Sequence, residues 1–356
     1  MKDRTNWIDL LKGFAIFLVI FGHNLLGMQT NAGIFITKYI YSFHMPLFFI
    51  ISGALYTKHG TFKEYVIKKT KSLLIPYFSF ASILYMYWLI TENMFGKNQP
   101  RLTSIKGFIG IFYGNPLYMP WGGALWFLLC LFIVSCIFYI ISCYSQKIIV
   151  IAMFLTAGIG FLTSNYLKAK LPWMINTAFT GVTLYGISYI SKDVILTTNT
   201  KCNWLNKNIV LIILFGFGFG TCIINRRVEL AGNVYGNYIL FYLSSVSSCL
   251  FYALFFKKIS SNTKLYHLKK YFIYFGMNTL IILAFHSHMA IFLNIIYTTV
   301  LKIDYHTVGI LYKILFSLIQ LVLLVPVIYI FNKYLYILLG KSSSKIKKLN
   351  TINTTT

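Results

Sequence analysis

Charge is what this sequence has least of. Only 11% of its 356 residues are Asp, Glu, Lys or Arg, against about 25% in an ordinary soluble domain. Acidic residues number seven. That shortage excludes a water-soluble globule. Cysteine is also sparse: six residues form no C-x-x-C pair, and most fall inside apolar runs. They read as small core hydrophobes, with neither a disulfide framework nor a zinc site. No segment is long enough to fold alone in water; the longest polar interruption, 92–122, has about thirty residues. One transmembrane domain over 1–340 is therefore expected, followed by a basic, disordered cytoplasmic tail over 341–356. An internal repeat is missing, which weakens an inverted-repeat transporter. A cleavable signal peptide is not expected either. The first apolar run is too long, contains Asp9 and Lys12, and precedes no small-residue cleavage site.

What is present is hydrocarbon: 58% hydrophobic and 18% aromatic residues, with a mean hydropathy of +0.70. Ten apolar runs are long enough to cross a bilayer as helices; eight have about the 17–25 residues this needs, and the last two are longer, enough to tilt. They cover 7–28, 36–56, 73–91, 123–142, 148–164, 173–190, 208–224, 237–256, 271–299 and 307–338. The fold expected is an all-α polytopic membrane protein, about ten transmembrane helices in one bundle. With the N-terminus in the cytoplasm, twenty Lys and Arg fall on the cytoplasmic side and nine outside. This satisfies the positive-inside rule with both termini cytoplasmic. The net charge of +25 is thus mostly a topology signal and not a nucleic-acid footprint.

Against this background the first span is unusual, because it carries Asp9, Lys12 and His23. Ionisable groups in a span cost a few kcal/mol and mark a functional site by default. At about 100° per residue, Lys12 and His23 fall about 20° apart and Asp9 about 40° from His23, so the three share one face. Helical rise puts His23 about 24 Å above the cytoplasmic entry. His44 near the outer start of the second span, and His286 and His288 in the ninth, reach the same layer. Asn24 and Ser287 are their neighbours. Histidine takes and returns a proton near neutral pH. Any one of these alone reads as a packing histidine; three helices meeting at one depth read as a site. No acidic residue is expected at that depth, so no metal is expected. His59, His267 and His306 fall in loops and carry no expected chemistry.

A second cluster, Lys63, Lys68, Lys69 and Lys71 before Ser72, stands at the cytoplasmic mouth of the third span. It can hold phosphates, but the residues alone favour positive-inside anchoring at lipid headgroups. Gly216, Gly218 and Gly220 lie in an apolar span with no preceding strand, and read as a helix-packing face.

In chain order the sequence shows Asp9-x-x-Lys12-Gly13, Leu18-Val19-x-x-Gly22-His23, Phe43-His44-Met45-Pro46-Leu47-Phe48-Phe49 and Ser52-Gly53. It continues with Leu74-Ile75-Pro76-Tyr77, Leu125-Trp126-Phe127-Leu128, Phe275-Gly276-x-Asn278-Thr279-Leu280 and His286. This ordered set resembles the acyltransferase type 3 family of integral-membrane O-acyltransferases, particularly the fucose-4-O-acetylase-like branch. The resemblance implies a multi-pass enzyme of the bacterial cytoplasmic membrane. It would move an acetyl group from acetyl-CoA to a sugar hydroxyl of a surface polysaccharide or its lipid-linked precursor.

The partners implied are acetyl-CoA, the glycan acceptor and membrane lipids, with no nucleic acid. His23 corresponds to the family's leading catalytic candidate, and Asp9, Lys12, His44 and His286 are grouped with it. Asn24, Trp126 and Asn278 are assigned to acceptor binding. Where the family tends to carry Arg-x-x-Arg before the third span, this chain has Lys69 and Ser72, flanked by Lys68 and Lys71. Lysine is a point charge without the guanidinium fork. Export of a lipid-linked sugar, with the polar face of the first span lining a path, is the alternative from the residues.

Overall fold

The computed structural model describes residues 2–95, 104–167, 171–196, 208–300, 302 and 308–341. The tail from 342 onward, His306, and part of the loop at 92–122 lie outside the described residues. All regular structure among the described residues is helical, apart from one isolated bridge between Glu229 and Val234. Each of the ten apolar runs coincides with a helix or a pair of helices. They are α1 (Lys2–Leu25), α2 (Asn31–Ala54), α3 (Phe62–Lys69) continuing into α4 (Ile75–Phe95), α6 (Trp126–Ile141), α7 (Gln146–Asn165), α8 (Ile175–Ile190), α10 (Asn208–Ile224), α11 (Tyr238–Ser260), α12 (Tyr266–Met277) with α13 (Thr279–Thr299), and α14 (Ile310–Leu323) with α15 (Val325–Lys333). Two shorter helices, α5 (Ser104–Tyr113) and α9 (Lys192–Leu196), lie between spans. Seven described helical segments are long and apolar enough to cross a membrane. The chain is an all-α polytopic membrane protein.

Helix α1 sits at the centre of the bundle. Its span is 72% buried, against 22% for α7, because α2, α11, α12, α13 and α14 all pack on it. Two glycines permit the closest of these approaches. A Cβ on Gly13 would lie 1.9 Å from the Phe272 carbonyl oxygen, and one on Gly276 1.8 Å from that of Asp9. Apolar helices gain no hydrophobic drive from packing in lipid, so small residues that let backbones touch supply the contact instead. The Gly216–Gly220 face behaves differently from its sequence reading. Only Gly218 is tight, against Ser248, while Gly216 and Gly220 face open space.

Three breaks interrupt runs that the sequence reads as continuous. A capping box of Thr61 and Glu64 starts α3 eleven residues before the expected span, and a π-helical turn, Thr70–Leu74, joins it to α4. The ninth run splits at Asn278 (φ −117°, ψ 21°). There the side-chain amide donates to the Tyr274 carbonyl at 2.8 Å, competing with the backbone for the i−4 acceptor. The tenth run splits at Leu324, before Pro326, which has no N–H to continue the ladder. Outside α4, the 104–122 segment is ordered against the bundle. Trp121 stacks on Trp88 at 4.7 Å, and the Tyr77 hydroxyl donates to the Ile111 carbonyl at 2.7 Å.

Candidate active site

The last turn of α1 presents His23 beside α2 and α13. Its ring lies 5.1 Å from that of His286 and 6.2 Å, edge-on, from that of Tyr41. His23 is nonetheless exposed. Neither of its ring nitrogens takes a hydrogen bond from the described residues. The two other histidines are buried and fixed. His44 Nδ1 donates to the Ile40 carbonyl at 2.7 Å, and His286 Nδ1 to the Leu283 carbonyl at 2.9 Å. Each bond selects the tautomer that leaves Nε2 with its lone pair. His286 Nε2 is met by Ser287 Oγ at 3.3 Å.

Tyr41 links the cluster, because its ring also meets His44 edge-on at 4.9 Å. The Tyr41 hydroxyl is buried and has no hydrogen-bond partner among the described residues. His288 does not join the group. Its ring packs on Tyr87 at 5.1 Å, since two residues along a helix turn the side chain by about 200°.

Behind the histidines is a polar network that the sequence reading missed. Asn24 Nδ2 donates to Ser317 Oγ at 2.8 Å and to Gln320 Oε1 at 2.9 Å. Gln320 Nε2 in turn donates to the His286 carbonyl at 2.5 Å. Asn24 is therefore buried as the tie between α1 and α14. One signal was available: Lys313, Ser317 and Gln320 recur on one face of α14, and all three are fully buried.

The remaining assigned residues lie apart from the histidines. Trp126 is buried at the start of α6, where its described ring contact is with Phe127. Asn278 accepts from Asn332 Nδ2 at 2.7 Å, and Asn332 Oδ1 accepts from Lys341 Nζ at 2.8 Å. Towards the start of α1, Asp9 and Lys12 pair at 3.1 Å. Lys68, Lys71 and Ser72 are exposed around the π turn and Lys69 is half-buried. The Lys69 ammonium lies 5.5 Å from the Tyr65 ring centre, and Ser72 Oγ donates to its carbonyl at 3.3 Å. Outside the spans, burial lowers the pKa of the Lys341 ammonium and raises that of the Tyr235 phenol.

Above His23 opens a cleft of about 450 Å³, lined by the end of α1, the start of α2 and the loop after α10. Tyr41, Lys38 and Arg227 supply its polar groups. An acid reaches its rim as well: Glu229 Oε2 pairs with Arg227 Nη2 at 2.5 Å. Helical rise does not give the height of a loop residue, which is why no acid was expected near this layer. A smaller cleft of about 210 Å³ lies across the same loop, lined by Asn115, Asn176 and Asn233 among others. Beside it Trp173 and Met174 both adopt left-handed backbone, with φ of 54° and 56°. No three His, Cys, Asp or Glu side chains among the described residues have metal-ligating geometry.

A family model described as an acyltransferase domain matches residues 5–333. No curated protein and no solved structure matches the chain.

Proposed function

The chain belongs to the acyltransferase type 3 family, and from that premise we propose that it acetylates a sugar hydroxyl of a cell-surface polysaccharide or its lipid-linked precursor, with acetyl-CoA as donor. It is a multi-pass membrane acyltransferase. The topology that fits the lysine distribution has both termini in the cytoplasm of a bacterial cell, with the histidine cluster towards the outer face.

The observation that carries the reading is the state of His23. It alone of the three clustered histidines is exposed, and neither of its ring nitrogens has a hydrogen-bond partner among the described residues. A general base needs an available lone pair within reach of the acceptor proton. In the step proposed, a His23 nitrogen takes the proton of the acceptor hydroxyl as its oxygen attacks the thioester carbonyl. The C–O bond forms, the C–S bond breaks, and the departing CoA thiolate receives that proton from the imidazolium. His44 and His286, held in one tautomer by helix carbonyls, keep the pocket walls fixed. Lys68, Lys69 and Lys71 are the cations available to the donor's phosphates on the cytoplasmic side, and the Asp9–Lys12 pair lies on the same face of α1 as His23.

The test is proton NMR of the surface glycan from cells with and without the protein, before and after mild base. Ester acetyls that depend on the protein, on a polymer of unchanged length, are the expected result. Loss of export with unchanged acyl content of the finished polymer contradicts it.

A further inference from the structure

Arginine is rare in this chain, four of its 32 basic residues. Two of the four, Arg226 and Arg227, are adjacent in the loop between α10 and α11, and Arg227 lines the 450 Å³ cleft above His23 with Lys38 and Tyr41. Cytoplasmic lysines have a ready explanation in topology, but outer segments are depleted of Lys and Arg. An arginine pair outside needs another cause. Arg is the side chain suited to forked recognition of phosphate and carboxylate.

Its donors are only partly spent. A guanidinium has five N–H groups and an ammonium three. Glu229 engages the Nη2 of Arg227, and the Ile223 carbonyl accepts from Lys38 at 2.9 Å. Tyr41 also lines the cleft, and its hydroxyl is buried with no hydrogen-bond partner among the described residues, a state that costs free energy. Thr37 also lines the cleft, its hydroxyl donating to the Gly33 carbonyl at 2.8 Å, and the other side chains are apolar, with Leu26 and Ile34 exposed at 47% and 51%. Cations and bare apolar side chains in one cleft, with the Tyr41 ring reaching from its lining to His23, describe one kind of ligand.

We propose that this cleft holds the acceptor by a phosphate ester, and that the acceptor is a glycan still attached to its prenyl phosphate carrier. Arg227 and Lys38 grip the phosphate, Leu26 and Ile34 meet the first prenyl units, and the sugar lies past Tyr41 towards His23. The proposal rests on the acyl-acceptor reading above for the direction in which the sugar points. The Arg227–Glu229 pair has a consequence of its own: the carboxylate competes with the phosphate for the guanidinium.

The experiment uses the full chain in phosphatidylcholine nanodiscs. Its probes are a synthetic prenyl diphosphate disaccharide, the methyl glycoside of the same disaccharide, and a water-soluble oligosaccharide containing a phosphodiester. Binding is read by tryptophan fluorescence, and acetyl transfer from acetyl-CoA is read separately. Wild-type protein is expected to prefer the prenyl diphosphate probe over the methyl glycoside at least tenfold. Arg227→Gln and Lys38→Gln should collapse that preference several-fold, Arg227→Lys should retain part of it, and Glu229→Gln should tighten binding. Equal binding of the soluble phosphodiester would move the phosphate from the carrier to the polymer and overturn the prenyl assignment. Wild-type affinity in both cation variants would overturn the site. Displacement of the probe by phosphatidylglycerol, added at the molar ratio of an ordinary bilayer, would mark a headgroup site and overturn it too. Arg227-dependent binding without acetyl transfer to any probe would support the phosphate site and remove the acetyltransferase reading.

Discussion

The imidazoles of His23 and His286 lie with centroids 5.1 Å apart and planes tilted by 47°, the first exposed and the second buried. The contact joins the C-terminal end of α1 to α13, and under the proposed mechanism the two rings do different work. His286 has its Nδ1 committed to the backbone and its Nε2 to Ser287. In the proposed mechanism it is a positioning residue for His23. His286→Ala is expected to lower kcat by about tenfold to a hundredfold, less than a lost general base costs, while the KM for acetyl-CoA stays within twofold. His286→Asn, which preserves a donor, should recover part of the loss. Wild-type kcat in the alanine variant would reduce His286 to a packing residue.

Gln320 should matter to both stability and rate. Its replacement by Leu removes one of the two side-chain acceptors of the Asn24 amide, leaving Ser317, and releases the His286 carbonyl. Side-chain hydrogen bonds between membrane helices average about 0.6 kcal/mol and reach about 1.7. The expected outcome is a lower Tm in detergent, together with a several-fold fall in kcat as the His286 turn shifts. A Tm loss with unchanged kcat would separate the network from the chemistry.

The glycines give a contrast that a thermal melt can read. Gly13→Ala and Gly276→Ala each drive a methyl group into backbone of the facing helix, where overpacking costs about 1–3 kcal/mol or more. Both variants should lose folded yield. Gly216→Ala, facing open space, should melt with the wild type.

For the donor side, changing Lys68, Lys69 and Lys71 together to Gln is expected to raise the KM for acetyl-CoA about tenfold with kcat nearly unchanged. The wild-type KM should rise with ionic strength, as exposed charges are screened. Lys69→Arg combined with Ser72→Arg restores a forked pair and should lower the KM. If the triple variant keeps its KM, these lysines serve the headgroups instead.

Much of this was legible in the sequence because it depends on length and rise. Apolar run length gave the helices, and rise along them put His23, His44 and His286 in one layer. The face shared by Asp9 and Lys12 follows from their spacing, and the two do pair. Azimuth was harder. Rise alone grouped His288 with His286, although it points to Tyr87. How α14 is rotated against α1 depends on packing, so Ser317 and Gln320 went unseen as the partners of Asn24. Tyr41 looked like one aromatic among many until its hydroxyl proved buried and unpaired. Asn278 and Trp126 carry family motifs, yet the fold sets Asn278 in a chain with Asn332 and Lys341 and Trp126 against Phe127. Arg227 and Glu229 come from a loop, where neither period nor rise fixes position.

The most direct measurement is transfer of labelled acetyl from acetyl-CoA to base-labile ester on the surface glycan by His23→Ala, with folding confirmed by an unchanged melt. A fall of at least a hundredfold from wild type, the scale of a lost general base, is the expected result. Acetylation at the wild-type level by the alanine protein would contradict the assignment of His23 and, with it, the mechanism.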